Sequence, residues 1–280
     1  MPRFSVAVPA YNAESTLAET LEAIAGQDFS DWECIVVDDG SADGTRALAE
    51  AIAAPESRLR VIHQENRGSA GAYNTGVASA TADWVCICSA DDILLPNHLT
   101  AMSAAIDEHP ECDIFSSNGY YLQPDGTRSL VYMGHEAEDA RSWSLEDVFQ
   151  ACFFSVGACY RRSLFEELGG YPVDAYGEDY IFWMRAMARG AKHLYIPEAL
   201  SLHRVSGSQK SANLRRAYES DIESIAAVIA SGPLDAAQSR AARAAIRHRR
   251  RMITELGRIG GPVFRFLRRA RGSVSRGDSR

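Results

Sequence analysis

The sequence predicts an α/β protein built on a doubly wound, mostly parallel sheet flanked by helices. Three observations carry that expectation. Short β-rich runs alternate strictly with stretches of helical spacing through the first 120 residues, the pattern of successive βαβ units. Several of the apolar runs end on Asp, Asn or Glu, which puts polar groups at the carboxyl ends of strands, where open α/β sheets hold ligands. A chain of 280 residues with 46% hydrophobic content is long enough to bury a full core.

The elements follow in order. A strand is expected at Phe4–Val8, halted by Pro9, and a helix over about Ser15–Gln27. A second strand, Glu33–Val37, runs into Asp38-Asp39-Gly40-Ser41, and a helix starts near Thr45 and reaches Ala54. Leu59–His63 is the third strand, and the small residues after Arg67 open a helix over about Ser69–Ala80. Trp84–Cys88 is an apolar run short enough to be a buried strand; it delivers Asp91 and Asp92 ahead of a helix over Asn97–His109. Cys112–Ser116 closes the series.

After Asn118 the pattern changes to a hairpin signal at Gln123-Pro-Asp-Gly126, an irregular stretch to Asp147, and helical and strand fragments as far as Arg204. From Leu214 the chain is rich in Ala and Arg at helical spacing. Breaks at Gly232-Pro233 and Gly260-Gly261-Pro262 predict two or three helices there. The expected division is a main domain over 1–212, with halves 1–118 and 119–212 on one sheet, and a helical basic extension over 213–280.

Net charge is −8, but the average hides a division. Residues 1–239 hold 16 basic and 35 acidic side chains, net −19, whereas from Arg240 onward 13 arginines face only Glu255 and Asp278, net +11. Six cysteines sit in apolar surroundings without CxxC spacing, which points to buried thiols in a reducing compartment. No run of about 18 apolar residues exists, and Met1-Pro-Arg leads straight into a strand with no room for a signal peptide. The expected location is cytoplasmic.

Adjacent side chains on an extended segment point to opposite sides, so Asp91 and Asp92 can serve two different partners. Such a pair suits a divalent cation bridging a diphosphate, and equally a strand-to-helix turn in which one Asp caps the helix. Tyr11 offers an aromatic face at the end of the first strand, where a base or ribose can rest. The run Glu65 to Gly76 sets exposed helix amides beside the Arg67 guanidinium, an anion-binding combination, although its glycines also permit close helix packing.

Val8-Pro-Ala-Tyr-Asn, Val37-Asp-Asp-Gly-Ser, Asn66-Arg-Gly with Ala70, Asn74 and Gly76, Ser89-Ala-Asp-Asp, and Gly177-Glu-Asp-Tyr with Trp183 and Arg185 occur in that order. Taken together the chain resembles a family-two glycosyltransferase of the GT-A fold, over about residues 4–210. The resemblance implies that Pro9, Tyr11, Asn12 and Glu14 line a nucleotide pocket and that Asp39 bonds the imide edge of the base, as in enzymes using uridine diphosphate sugars. It implies Arg67 and Asn74 near the sugar or phosphate, Asp91 facing the donor and Asp92 as ligand to Mg²⁺ or Mn²⁺. Asp179 matches the family's catalytic base, with Glu178 orienting the acceptor or holding a neighbouring helix. The implied reaction is metal-dependent, inverting transfer from a nucleotide sugar to a glycan or lipid-linked hydroxyl in cell-surface polysaccharide biosynthesis.

The chain departs from the family at one point. Members often carry Tyr-Arg-x-His where this sequence has Leu202-His203-Arg204-Val205-Ser206, with Ser206 in place of the histidine that helps bind metal or diphosphate. His203 is a substitute candidate for the metal, and Arg204 for the pyrophosphate. Two other readings compete: a nucleotide-sugar-binding scaffold without catalysis, and a sugar nucleotidyltransferase, which would want a glycine-rich basic loop where Pro-Ala-Tyr-Asn stands. Missing GxGxxG and GxxxxGK[ST] signals exclude dehydrogenase and ATPase readings. The basic extension is expected to be a solvated helix packed on the domain, to end in a disordered stretch after Gly272, or to touch the inner face of the cell membrane. Nucleic acid is disfavoured because no aromatic residues interleave the basic surface.

Overall fold

A computed structural model describes residues 1–131, 142–152, 154, 156–205, 213–232 and 234–258. Strands β1 (Phe4–Ala10), β2 (Trp32–Asp38), β3 (Leu59–His63) and β4 (Trp84–Ile87) alternate with helices α1 (Leu17–Ala25), α2 (Thr45–Ala53) and α3 (Gly68–Ala78). Then come β5 (Ile93–Leu94), α4 (His98–Glu108), β6 (Ile114–Leu122), β7 (Arg128–Leu130), α5 (Leu145–Gln150), β8 (Cys159–Arg161) and α6 (Arg162–Leu168). The chain ends, among the described residues, with α7 (Glu178–Ala188), β9 (His193–Arg204), α8 (Leu214–Ser231) and α9 (Ala236–Arg258).

One mixed sheet runs β3-β2-β1-β4-β8-β6-β9-β5, with β7 added to β6. The expected parallel arrangement holds for β3-β2-β1-β4 and again for β6-β9. Elsewhere it does not: β8 runs antiparallel to both β4 and β6, and β5 antiparallel to β9. The chain leaves β4 through a tight turn, with the Asp92 N–H bonded to the Ser89 carbonyl at 3.1 Å, so β5 runs opposite to β4; β6, reached through α4, runs with β4, and β8 inserts between them antiparallel to both. The Gln123–Gly126 signal does form the β6–β7 hairpin, closed by a 2.9 Å bond from the Gly126 amide to the Gln123 carbonyl.

Strand alternation splits the core into two layers. Val6, Val8, Cys34, Val36 and Cys86 face one side with α1 and α4, while Ala7, Ile35, Val37, Val85 and Ile87 face the other with α3 and α7. Five of the six cysteines are buried and Cys152 is half-buried, all as free thiols. The basic helices join the second layer, which includes Ile225 and Val228 of α8 and Ala242 and Ala245 of α9.

Arg249 fixes α9 to the body. It is 4% exposed, pairs with Asp221 at 2.7 Å, and donates to the carbonyls of Phe149 (2.9 Å) and Gln150 (3.2 Å) and to the Tyr180 hydroxyl (3.5 Å). Removing it leaves two carbonyls without their donor in a buried site and the half-buried Asp221 carboxylate without its counter-ion. Arg249→Met is expected to lower unfolding free energy by about 2–4 kcal/mol in denaturant titration; a loss under about 0.5 kcal/mol would show that the latch carries no weight.

His193, buried at the end of β9, accepts from the Trp143 amide at 3.4 Å and pairs with Ser116 Oγ at 2.8 Å, an arrangement for the neutral ring. Burial pushes its pKa from 6.5 down to about 3. The unfolded chain therefore binds a proton that the folded chain refuses, so this stability is present above pH 6.5 and is lost as pH falls toward 3. Thermal melts should decline across that window with a contribution of up to ~1.4 kcal/mol per pH unit. His193→Gln should flatten the decline, and an unchanged slope would show that the ring does not govern it.

Candidate active site

The parallel strands deliver their ends to one edge of the sheet. At the end of β1, Tyr11 is 54% exposed, an aromatic face left open after a buried strand. Asn12 takes a positive φ of 49°, tolerable for Asn because its side chain bonds locally. Its Oδ1 accepts from the Ala42 amide at 2.9 Å, and its own amide donates to Ser41 Oγ at 3.0 Å. Glu14 accepts from the Gly44 amide at 3.0 Å, and a Cβ at Gly44 would lie 2.4 Å from Glu14 Oε1, so only glycine admits the carboxylate there. Asn12 and Glu14 thus clip the β1 loop to the β2 loop, which leaves Tyr11 as the open group of that motif. Pro9 is half-buried, paired with Val37 in the ladder.

Asp38 and Asp39 divide their work as the alternation of β2 dictates. Asp38 holds His63 Nδ1 at 2.6 Å and the Ser41 amide at 3.1 Å. Asp39 is 2% exposed, and its Oδ1 accepts from Gln64 Nε2 (2.6 Å) and from the Arg67 amide (2.9 Å). It ties the β2 end to the start of α3, whose Arg67 side chain is exposed.

Asn74, expected near the sugar or phosphate, lies on α3 and bonds the backbone of Tyr171. Its amide oxygen accepts from the Tyr171 N–H at 2.7 Å and its amide nitrogen donates to the Tyr171 carbonyl at 2.9 Å. Both ends of the amide are engaged in clamping a loop 97 residues away, so it serves as a brace between α3 and the second half of the sheet.

The turn after β4 holds the acidic pair. Asp92 is 1% exposed, and the β5–β9 pairing sets it against His203 and Arg204. Asp92 Oδ1 lies 3.3 Å from His203 Nδ1 and accepts the Arg204 amide at 3.1 Å. Burial works against protonated His203, but the bond to Asp92 and the charges of Asp92 and Asp91 raise its pKa on balance. The Tyr121 ring meets the imidazole edge-on at 5.5 Å. Asp91 is half-buried, and desolvation followed by the Asp92 charge pushes its carboxyl pKa up. Ser206, the position of the departure noted above, lies outside the described residues.

Arg204, expected at the pyrophosphate, lies beside the acidic turn. Its Nε donates to the Asp91 carbonyl at 3.1 Å and its Nη2 meets Glu19 of α1 at 2.5 Å. It buttresses the acidic turn from behind, with its guanidinium held by protein acceptors.

The second acidic pair opens α7. Glu178 is 7% exposed and accepts from the Ser69 hydroxyl of α3, which ties α7 to that neighbouring helix. Asp179 is exposed and takes the Tyr180 amide at 2.8 Å, as a carboxylate in the first turn of a helix should. Gly177 before it rests on α8: an added Cβ would lie 2.8 Å from Ser224 Oγ and 3.1 Å from Ser220 Oγ. No local signal in the sequence marks Ser220 and Ser224 as supports of this helix start.

Helix α3 connects the two acidic sites. Ser69 binds Glu178, and one turn on, the Tyr73 hydroxyl meets Ser89 Oγ of the acidic turn at 3.2 Å. Burial drives the Tyr73 phenol well above its ordinary pKa, Ser89 opposes, and the charges of Asp179 and Asp92 both add to the rise. One phenol thus lies within electrostatic reach of both carboxylates.

A curled mixed sheet, with acidic turns gathered at its strand ends, places the chain in the GT-A class of glycosyltransferase folds. TarS 1-349 of S. aureus, whose crystal structure has also been solved with UDP, superposes with a TM-score of 0.72 at 25% identity, over 89% of this chain and 71% of that one. Glycosyltransferase GlyG of Streptococcus pneumoniae is 36% identical over 134 residues, 47% of this chain and 44% of its own length. The GalNAc(5)-diNAcBac-PP-undecaprenol beta-1,3-glucosyltransferase of Campylobacter jejuni is 28% identical over 211 residues, 73% of this chain and 65% of its own length. The chain therefore spans less than two thirds of either relative. Residues 5–169 match the family described as Glycosyl transferase family 2, and the chain belongs to that family. Asp179 lies just beyond the matched segment.

Proposed function

We propose that this protein transfers a sugar from a nucleotide diphosphate sugar, with a uridine diphosphate donor favoured, to a hydroxyl of a glycan or lipid-linked acceptor, inverting the anomeric centre. One observation carries the reading: α3 contacts both acidic sites, its Tyr73 hydroxyl meeting Ser89 of the acidic turn and its Ser69 hydroxyl donating to Glu178, the neighbour of the exposed Asp179. Tyr11 takes the base on its open face, Asp39 reads its imide edge, and Arg67 stands over the phosphates at the start of α3. Asp91 faces the donor. Asp179 removes the acceptor proton as the oxygen attacks, and α7, seated on Ser220 and Ser224, keeps that carboxylate fixed.

The residues at Asp92 fit a hard divalent cation such as Mg²⁺ or Mn²⁺. Asp92, with Asp91 next to it in the turn, offers the carboxylate oxygens such a cation takes, and the His203 imidazole lies 3.3 Å from Asp92 Oδ1. Asp92 and His203 would hold the ion, which when bound neutralises charge on the departing diphosphate. The polysaccharide role and a cytoplasmic site of action belong to this reading. Among the described residues no helix is long and apolar enough to cross a membrane.

Thermal-shift titration with nucleotide sugars, with and without Mn²⁺, tests the donor and cation assignments, since a ligand that binds only the folded state raises the melting temperature. A uridine diphosphate sugar should stabilise most, and only with the metal. Equal shifts from every nucleotide would reject the base assignment. Release of nucleoside diphosphate by the bound donor separates this reading from a non-catalytic scaffold.

A further inference from the structure

Helix α9 carries a feature that sugar transfer leaves unexplained. Arg240, Arg243, Arg247, Arg250 and Arg251 are all exposed, and at 100° per residue they fall within about 100° of the helix circumference. The opposite face, through Ala242, Ala245 and Arg249, is buried against the body. Only Arg251 has a carboxylate partner, Glu255 at 2.8 Å; among the described residues the other four form no ion pair. Like charges three and four apart on a helix repel, so an unneutralised row is unfavourable for the isolated protein.

We infer that this row is a docking face for an anionic phospholipid surface. The charge distribution supports the choice. Residues 1–239 carry net −19, so a negatively charged membrane repels the body and accepts only the arginine face, which sets the orientation. The row runs from Arg240 to Arg251, 12 residues of helix and roughly 16 Å from first to last, a straight strip suited to a flat sheet of headgroups. Contact is electrostatic. The apolar side of α9 is turned toward the core, and none of the exposed large hydrophobic residues lies on this helix. Nucleic acid fits less well, because no aromatic side chain stands among the arginines to stack on bases.

The inference deepens the proposed function, and on the side of the acceptor it rests on that reading: a membrane-docked enzyme meets a lipid-linked hydroxyl in two dimensions. Docking itself can be measured without turnover. The full chain is floated with vesicles of phosphatidylcholine alone and of phosphatidylcholine containing phosphatidylglycerol, over a salt series. Binding is expected only with the anionic lipid, and it should fall as salt rises. The triple variant R243E/R247E/R250E, on an exposed face outside the catalytic machinery, should keep its circular dichroism and its turnover of a water-soluble acceptor. Its vesicle binding should drop by more than 100-fold, at about fivefold for each charge removed and more for each reversed. Equal binding to neutral vesicles, unchanged binding by the triple variant, or tighter binding to duplex DNA at the same ionic strength would each overturn the inference. If vesicles bind but no sugar is transferred to any acceptor, docking stands and the catalytic reading falls.

Discussion

Asp179→Asn is expected to lower the rate of sugar transfer by about 10²–10⁴-fold, the usual contribution of a positioned general base, while leaving donor affinity unchanged. The substitution separates two tasks that the wild-type side chain can perform at once. As a structural group, Asp179 accepts the Tyr180 amide at 2.8 Å in the first turn of α7. An asparagine retains that acceptor oxygen and the side-chain shape, so the helix start should persist. It loses the basic lone pair needed to take the acceptor proton. A melting temperature close to wild type together with lost turnover would assign Asp179 as the base; wild-type turnover would remove it from that role. Glu178→Gln is the matched control, because Glu178 is buried on Ser69 and should act through helix placement alone.

Asp92→Asn should abolish the metal-dependent part of donor binding. In the wild type, a uridine diphosphate sugar with Mn²⁺ at a hundred times its dissociation constant should raise stability by about 2.7 kcal/mol, roughly 5–10 °C in the melt. The variant keeps an oxygen for the Arg204 amide but loses the charge that a cation requires. Its shift should match that seen without metal. A full Mn²⁺-dependent shift in the variant would move the cation away from Asp92. The His203 imidazole, 3.3 Å from the same carboxylate oxygen, makes a secondary contribution, so His203→Ala should weaken Mn²⁺ dependence without eliminating it.

Much of the site was legible because its chemistry is local. The turn after β4 announces itself by an apolar run ending in Asp91-Asp92, and the start of α7 by Gly177-Glu-Asp. The exposed aromatic at Tyr11 stands just past the end of β1, which runs through Pro9 to Ala10. Other features of the site left no local trace. Asn74, Glu14 and Arg204 are polar residues inside or beside motifs, and each also has a partner within the fold. Their partners are Tyr171, Gly44 and Glu19, brought in from 97, 30 and 185 residues away. A hydrogen bond over such a separation leaves no local trace.

The basic extension shows the same division. Its helices were expected from Ala and Arg at helical spacing, but the spacing does not say which arginine turns inward. Arg249 lies between His248 and Arg250 in the sequence yet is buried on the opposite face, because α5 offers two carbonyls, α8 the Asp221 carboxylate and α7 the Tyr180 hydroxyl on that side.

By itself the sequence determined the alternating elements, the strand-end acids and the charge asymmetry, since each depends on residues close together in the chain: periodicity, turn chemistry and composition. The tertiary structure alone decided the antiparallel half of the sheet, the braces at Asn74 and Arg204, the placement of His203 on Asp92 and the outward row on α9. Those depend on which distant groups meet, and on the rule that a buried polar atom takes whatever partner the packing supplies.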